Sequence, residues 1–190
     1  KILPYISISR VFNSLNEPLI QRHPFWREVD ASRHPEWFCI NKDGRVHRYW
    51  GQKNYRLHAA FDAVCQNHST YIEAAGRGVD NLMKQGCGGV FIDENSYSPY
   101  YGYCWGDKLG IHRHEWPVDD PAQSARESFF KTMRKIQDTV KKYGNDKLII
   151  RNGSLPNVKL GDYTMLESFS YNLFYVPPES PGKPVLQVRQ

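Results

Sequence analysis

The chain has 190 residues, of which 40% are hydrophobic and 24% charged; this is enough for one sizeable core and too few for two ordinary domains. Its net charge of +5 is scattered, with Lys141-Lys142 as the longest basic run, whereas nucleic-acid-binding surfaces show clustered basic residues, so we expect no nucleic-acid partner. No apolar stretch approaches the roughly 18 residues that span a bilayer, and we expect no membrane partner.

The chain begins with a predicted strand over residues 2–9, because isoleucine and serine alternate from Ile6 to Ser9. A long loop is predicted next, up to about residue 69. Pro24, His34-Pro35 and Asp43-Gly44 are its turn signals. Loops of this length inside a compact domain are usually functional.

A helix is predicted from Thr70 to Gly86. Thr70 and Glu73 have the spacing of a capping box, and Gly86 is a suitable stop. One face of this helix is apolar and carries Ile72, Ala75, Val79, Leu82 and Met83. The segment directly after it, Gly88–Glu94, is a short apolar run that ends in acids, which is typical of a buried parallel strand.

A second helix is predicted over residues 121–143. Asp120 is the expected N-cap, Pro121 suits the first helical position, and Gln123 completes a capping-box pattern. Gly144 is its expected end. Three further strands are predicted over residues 147–153, 163–169 and 184–188.

Strands that alternate with helices indicate a parallel α/β architecture, either a doubly wound sheet or a closed barrel. Polar residues decide between them, because Asp93-Glu94, Asn152 and Glu167 each follow the end of a different strand, where a barrel builds its active site. The glycine-rich phosphate turn of dinucleotide-binding folds is missing. We therefore predict a (β/α)8 TIM barrel.

A full barrel takes about 250 residues. Residues 1–190 are therefore expected to be the central portion of one barrel domain. Their expected partner is the rest of the same barrel or a larger assembly.

Three motifs resemble those of a loose group of bacterial glycoside hydrolases, over most of residues 30–172. They are a loop with HPEWF at 34–38 and DG at 43–44, a strand with GGVFIDE at 88–94, and a later strand pair with NG at 152–153 and ESF at 167–169. Gly88 stands where many of these proteins have Asp. The resemblance implies a barrel, a glycosidic substrate and a pair of catalytic carboxylates, without indicating which sugar.

Residue alternation independently indicates which carboxylates face the substrate. Glycoside hydrolysis needs a carboxylic acid to protonate the leaving oxygen and a second carboxylate as nucleophile or base. Val90 and Ile92 are suited to face the outer helices, so Asp93, on the other face of that strand, is expected to point inward. Asp93 is thus the predicted nucleophile or base and Glu167 the predicted acid. Acids after strands also cap helices or lie in solvated loops, and this alternative stays open for both.

Further residues near these strand ends are predicted to contact the substrate. Aromatic residues make up 14% of the chain, and several lie in the loop after Asp93, where they are expected to stack on sugar rings or to pack the loop itself. Asn152 is expected either to bind a sugar hydroxyl or to form a turn with Gly153. The predicted substrate-binding residues are Glu94, Asn152, Tyr97, Tyr101, Trp105, His112 and His114.

The four cysteines lack the CxxC spacing of common metal sites. Cys104, His112 and His114 could form a zinc site together with Asp93, but their spacing is not a recognised zinc pattern. Histidines bonded to substrate or loop carbonyls are favoured instead, and we expect no metal and no cofactor. A Cys65–Cys104 disulfide and free buried thiols are both open alternatives.

The function predicted from the sequence is hydrolysis of O-glycosidic bonds in a poly- or oligosaccharide substrate. One alternative is a barrel that binds glycans or serves a structural role without catalysis. Another is a metal-dependent hydrolase that uses Cys104, His112 and His114. One or two disulfides would suit a secreted enzyme, so a secreted or periplasmic location is expected.

Overall fold

The computed structural model describes residues 1–12, 22–30, 33–47, 61–93, 103–115, 120–152 and 162–165. In chain order its elements are β1 (Tyr5–Ser7), β2 (Arg10–Phe12), α1 (Pro24–Glu28), a 3-10 turn (Pro35–Trp37), β3 (Phe61–Ala63), α2 (Ser69–Lys84), β4 (Gly89–Asp93), α3 (Pro121–Lys141), β5 (Leu148–Asn152) and β6 (Tyr163–Met165). In the described part of the chain, no helix is both long enough and apolar enough to cross a membrane.

Among the residues that the structure describes, the main sheet has four parallel strands in the order β1-β4-β5-β6. Strand β4 is central: Ser7 of β1 aligns with Asp93 on one side, and Ile149 of β5 aligns with Val90 on the other. This confirms the prediction that the apolar run before Glu94 is an internal parallel strand. Within this sheet the strands lie in the order in which they occur along the chain, as in a segment of a barrel, although β2 and β3 come between β1 and β4.

Helices α2 and α3 pack side by side on the same face of this sheet. Val90 and Ile92 of β4 are fully buried against them, in one core with Val79 of α2 and Met133 of α3. Between the helices, Tyr143, just after α3, donates a hydrogen bond of 2.8 Å to Asp80. The two helices therefore form one layer, as predicted. The described architecture is a mixed α/β fold with a small parallel sheet, and closure into a barrel stays a prediction.

The predicted long loop up to residue 69 was wrong, because it contains regular structure. Strands β2 and β3 pair antiparallel in a second sheet, and α1 and the 3-10 turn lie between them. Both strands have only three residues and lie about fifty residues apart. Elements this short show no periodicity that the sequence alone reveals.

Helix α2 confirms the predicted amphipathic helix but not its predicted cap. The helix begins at Ser69, and His68 occupies the N-cap position without a side-chain capping bond. Thr70 instead accepts a hydrogen bond of 2.8 Å from the indole of Trp37, which is 1% exposed. The Thr70 hydroxyl, which suggested a capping box, therefore accepts the hydrogen bond of the buried Trp37 indole in the 3-10 turn.

Helix α3 begins as predicted. The carboxylate of Asp120 accepts a hydrogen bond of 2.9 Å from the amide of Ala122, and Pro121 is the first helical residue. Gly144 follows the helix with a φ of 128°, a conformation that favours glycine.

We expect Asp120→Ala to lower the free energy of unfolding by about 1 kcal/mol, because it leaves a helical amide without its cap. Asp120→Asn is the matched control and should retain most of the stability, since asparagine caps helices about as well. Urea unfolding followed by circular dichroism measures both. Equal losses in the two variants would show that the capping bond contributes nothing.

The later predicted strands are described in part. Strand β6 covers Tyr163–Met165 of the predicted strand 163–169. The remainder of that strand, the predicted strand 184–188 and Glu167 lie outside the described residues.

Candidate active site

Asp93 is the last residue of central strand β4, at the carboxyl end of the parallel sheet. Along this strand Val90 and Ile92 are fully buried, whereas Phe91 and Asp93 are only half-buried. Because side chains alternate between the two faces of a strand, Asp93 lies on the face opposite the helices. This is the orientation that the alternation predicted.

In the described part of the chain, the side chains of Tyr5, Arg10 and Asn152 lie around the carboxylate of Asp93. The hydroxyl of Tyr5 donates a hydrogen bond of 2.6 Å to Oδ2, and Nδ2 of Asn152 donates one of 2.7 Å to Oδ1. The guanidinium of Arg10 lies 3.9 Å from Oδ2 and also donates a hydrogen bond of 3.2 Å to the Tyr5 hydroxyl. We call Tyr5, Arg10, Asp93 and Asn152 the carboxylate cluster.

The sheet register brings the cluster together. Asp93 aligns with Ser7 of β1, and Tyr5 lies two residues earlier on the same face, so its ring runs along the sheet towards the carboxylate. Asn152 ends the neighbouring strand β5. Arg10 comes from β2, a few residues after β1. Sequence reasoning missed Tyr5 and Arg10; the alternation in β1 was a signal for Tyr5, but β2 left no signal for Arg10.

Tyr5 is held as a hydrogen-bond donor. Partial burial of its phenol raises the pKa above the ordinary value, and the hydrogen bond to Asp93 raises it further, although Arg10 opposes the shift. The phenol therefore keeps its proton at neutral pH and can donate to the carboxylate throughout a reaction at that pH.

The cluster presents a carboxylate that acts as an acceptor on both oxygens. The side chains of Arg10 and Asp93 are 17% and 19% exposed, so the ion pair is largely shielded from water. A carboxylate fixed in this way suits attack on an electrophile or removal of a proton from water, rather than donation of a proton.

Asn152 donates a hydrogen bond to Asp93, so the structure supports a role for Asn152 in orienting the carboxylate.

Trp105 has two ammonium groups near its ring, from Lys42 at 4.9 Å and Lys108 at 5.6 Å, both within cation–π distance. Its predicted stacking on a sugar stays a prediction. Glu94, Tyr97, Tyr101 and Glu167 lie outside the described residues.

His112 and His114 belong to a separate group with Cys65 and Cys104, which we call the Cys/His cluster. The four ligand atoms all lie within 4.8 Å of one another. The Nε2 atoms of the histidines lie against cysteine sulfurs, so their predicted contact with substrate stays a prediction. The fourth member is Cys65, not Asp93 as the zinc alternative supposed. All four cysteines of the chain are free, and no Cys65–Cys104 disulfide is formed.

No protein-family model and no curated protein matches the chain. Among solved structures it is similar to TtGalA, the alpha-galactosidase from Thermus thermophilus, in complex with stachyose, with a TM-score of 0.49 and 14% identity over 84% of this chain and 27% of that chain. TtGalA in complex with p-nitrophenyl alpha-D-galactopyranoside gives a TM-score of 0.42 and 13% identity over 77% of this chain and 22% of that chain. The chain thus spans about a quarter of the length of these alpha-galactosidase chains.

Proposed function

We propose that the chain carries the active-site region of a glycoside hydrolase that cleaves O-glycosidic bonds in a poly- or oligosaccharide, with Asp93 as nucleophile or base. The observation that supports this most is the carboxylate of Asp93, held by donors on both oxygens at the end of the central strand. Barrel enzymes assemble their catalytic residues at that end of their strands.

The carboxylate cluster fits one of the two roles that the reaction requires. In a retaining enzyme the carboxylate attacks the anomeric carbon, and in an inverting enzyme it takes a proton from water. Tyr5 and Asn152 restrict the rotation of Asp93, and Arg10 places positive charge beside it. A carboxylate fixed in advance needs little reorganisation when substrate arrives, which lowers the barrier.

The acid is proposed to be Glu167, because it follows the end of a neighbouring strand in the sequence. Glu94 and Glu115 are rivals for this role. The distance between the two carboxyl groups would decide the stereochemistry: about 5–5.5 Å gives retention and about 6.5–9.5 Å gives inversion. Glu94, Tyr97, Tyr101 and Trp105 are proposed to contact the sugars on either side of the cleaved bond.

Glycosidase activity is tested with the protein in its full length and a panel of p-nitrophenyl α- and β-glycosides, followed by oligosaccharides. Release of p-nitrophenol from at least one member, lost in Asp93→Asn, supports the proposal. Binding of oligosaccharides in calorimetry without any cleavage would contradict it and would favour the non-catalytic glycan-binding alternative.

We expect Glu167→Gln to lower kcat/KM by about 10²–10⁴-fold on oligosaccharides, because their leaving oxygen must be protonated. On a dinitrophenyl glycoside the loss should be small, since dinitrophenolate leaves without a proton. The ratio of the two losses is the measurement. An equal loss on both substrates would contradict the acid role, and full activity on oligosaccharides would move that role to Glu94 or Glu115.

A further inference from the structure

We infer that Cys65, Cys104, His112 and His114 bind one zinc ion, which holds residues 103–115 against residues 33–47 and 61–68. Four protein ligands would close the coordination sphere, so this site is structural and separate from the carboxylate cluster. It does not depend on the proposed glycosidase activity.

The spacing of the ligand atoms supports a tetrahedral site. Sγ of Cys65 lies 3.3 Å from Nε2 of His114, Sγ of Cys104 lies 3.2 Å from Nε2 of His112, and the two Nε2 atoms are 3.2 Å apart. Zinc bonds of about 2.3 Å to sulfur and about 2.0–2.1 Å to nitrogen give tetrahedral edges of about 3.6 Å for sulfur–nitrogen pairs and about 3.3 Å for nitrogen–nitrogen pairs. These three distances lie within about 0.4 Å of the corresponding edges, and the other three pairs of ligand atoms lie within 4.8 Å.

The two histidine rings direct the same kind of atom, Nε2, towards each other. Two protonated imidazoles would repel each other at this distance, and of two neutral rings only one can donate to the other. A cation between the rings accepts both lone pairs. Two thiolates and two imidazoles are a ligand set that favours zinc among the common divalent metals.

The surrounding backbone already holds the ligands in place. The amide of Trp105 donates a hydrogen bond of 2.7 Å to the carbonyl of Ile40, and the amide of Glu115 donates one of 3.0 Å to the carbonyl of Asn67. Residues 103–115 are thus anchored near both ends to the segments that precede α2. Gly106 leaves room for the His112 ring, because a Cβ at Gly106 would overlap that ring.

The sulfur of Cys104 has a backbone donor beside it. The amide of Ile40 lies 3.4 Å from this sulfur as a donor. Donors of this kind orient and stabilise metal-bound thiolates.

The ion would fix the loop that follows the candidate nucleophile. Residues 103–115 come after β4 in the chain. Cys65 follows β3 and Val64, which forms an isolated β-bridge with Phe38. Binding one ion to both segments ties the second sheet to this loop. Removal of the ion should therefore loosen residues 103–115 without disturbing the core between α2, α3 and β4.

The test is metal analysis of the full-length protein, prepared with reductant and zinc and then passed through metal-free buffer. We expect about one zinc ion per chain, measured by inductively coupled plasma mass spectrometry. Cys65→Ser and His114→Gln should each lose nearly all of it. Cys87→Ser and His34→Gln are the matched controls and should retain it, because these residues lie outside the cluster. Zinc retained in both cluster variants, or lost in Cys39→Ser but kept in Cys65→Ser, would overturn the assigned ligands.

A second measurement applies even where a variant fails to fold. The unmodified protein, stripped of metal and loaded with cobalt, should show a thiolate-to-cobalt charge-transfer band and the intense visible bands of tetrahedral cobalt. Hydrogen exchange should then be slower in residues 103–115 with metal than without it. Absence of the cobalt bands would refute the site. So would a Cys65–Cys104 disulfide that is found by mass spectrometry, run without reductant, in protein that was purified and stored with reductant.

Discussion

Replacing Asp93 by asparagine should reduce kcat/KM by about 10²–10⁴-fold or more on every glycoside that the parent protein cleaves. The amide keeps the size of the side chain and an acceptor for Tyr5 or Asn152, but it cannot attack an anomeric carbon or take a proton. Unlike the loss in Glu167→Gln, this loss should be as large on dinitrophenyl glycosides as on oligosaccharides. Steady-state rates on both substrates measure it.

The matched control is Asp146→Asn, which removes an exposed carboxylate paired with Lys1 and should leave the rates unchanged. Asp93→Ala adds a second readout. If Asp93 is a nucleophile, formate or azide should restore part of the activity of this variant, because a small anion can attack from the vacated space. Full activity of Asp93→Asn, with circular dichroism showing an intact fold, would refute any catalytic role for this residue.

Replacing Gly89 by alanine should lower the free energy of unfolding by about 3 kcal/mol or more. Gly89 begins the central strand with a φ of 148°, which side chains rarely adopt, and a Cβ there would collide with the backbone of Leu148 in β5. Backbone atoms of a paired strand cannot move aside as a flexible side chain would. Urea unfolding measures the loss.

Gly86→Ala separates the effect of φ from that of the collision. Gly86 has a φ of 83° and no atom within 4 Å of an added Cβ, so its replacement should cost only about 1–2 kcal/mol. Both variants gain equally from the reduced freedom of the unfolded chain. Equal losses at the two positions would show that β4 and β5 can separate without cost at this point.

Local patterns in the sequence determined the elements that bury one continuous apolar face. Helices α2 and α3 and strand β4 were all predicted close to their observed bounds. The two helices are long enough to show their period and are followed within three residues by Gly86 and Gly144, and β4 is an apolar run that ends at Asp93. Alternation of side chains along β4 placed Asp93 on the face away from the helices. These are properties of a few neighbouring residues, which a sequence displays directly.

Tertiary structure alone decided which distant residues meet. Strands β2 and β3 have three residues each and are stabilised by pairing with each other, so neither is visible as a local pattern. Arg10 reaches Asp93 only because β2, which belongs to the second sheet, places it beside Tyr5 and Asp93. Cys65 joins Cys104, His112 and His114 only because β3 and residues 103–115 hydrogen-bond to the same segment. Contacts between residues tens of positions apart depend on packing free energy summed over the whole fold, and no single stretch of sequence carries that sum.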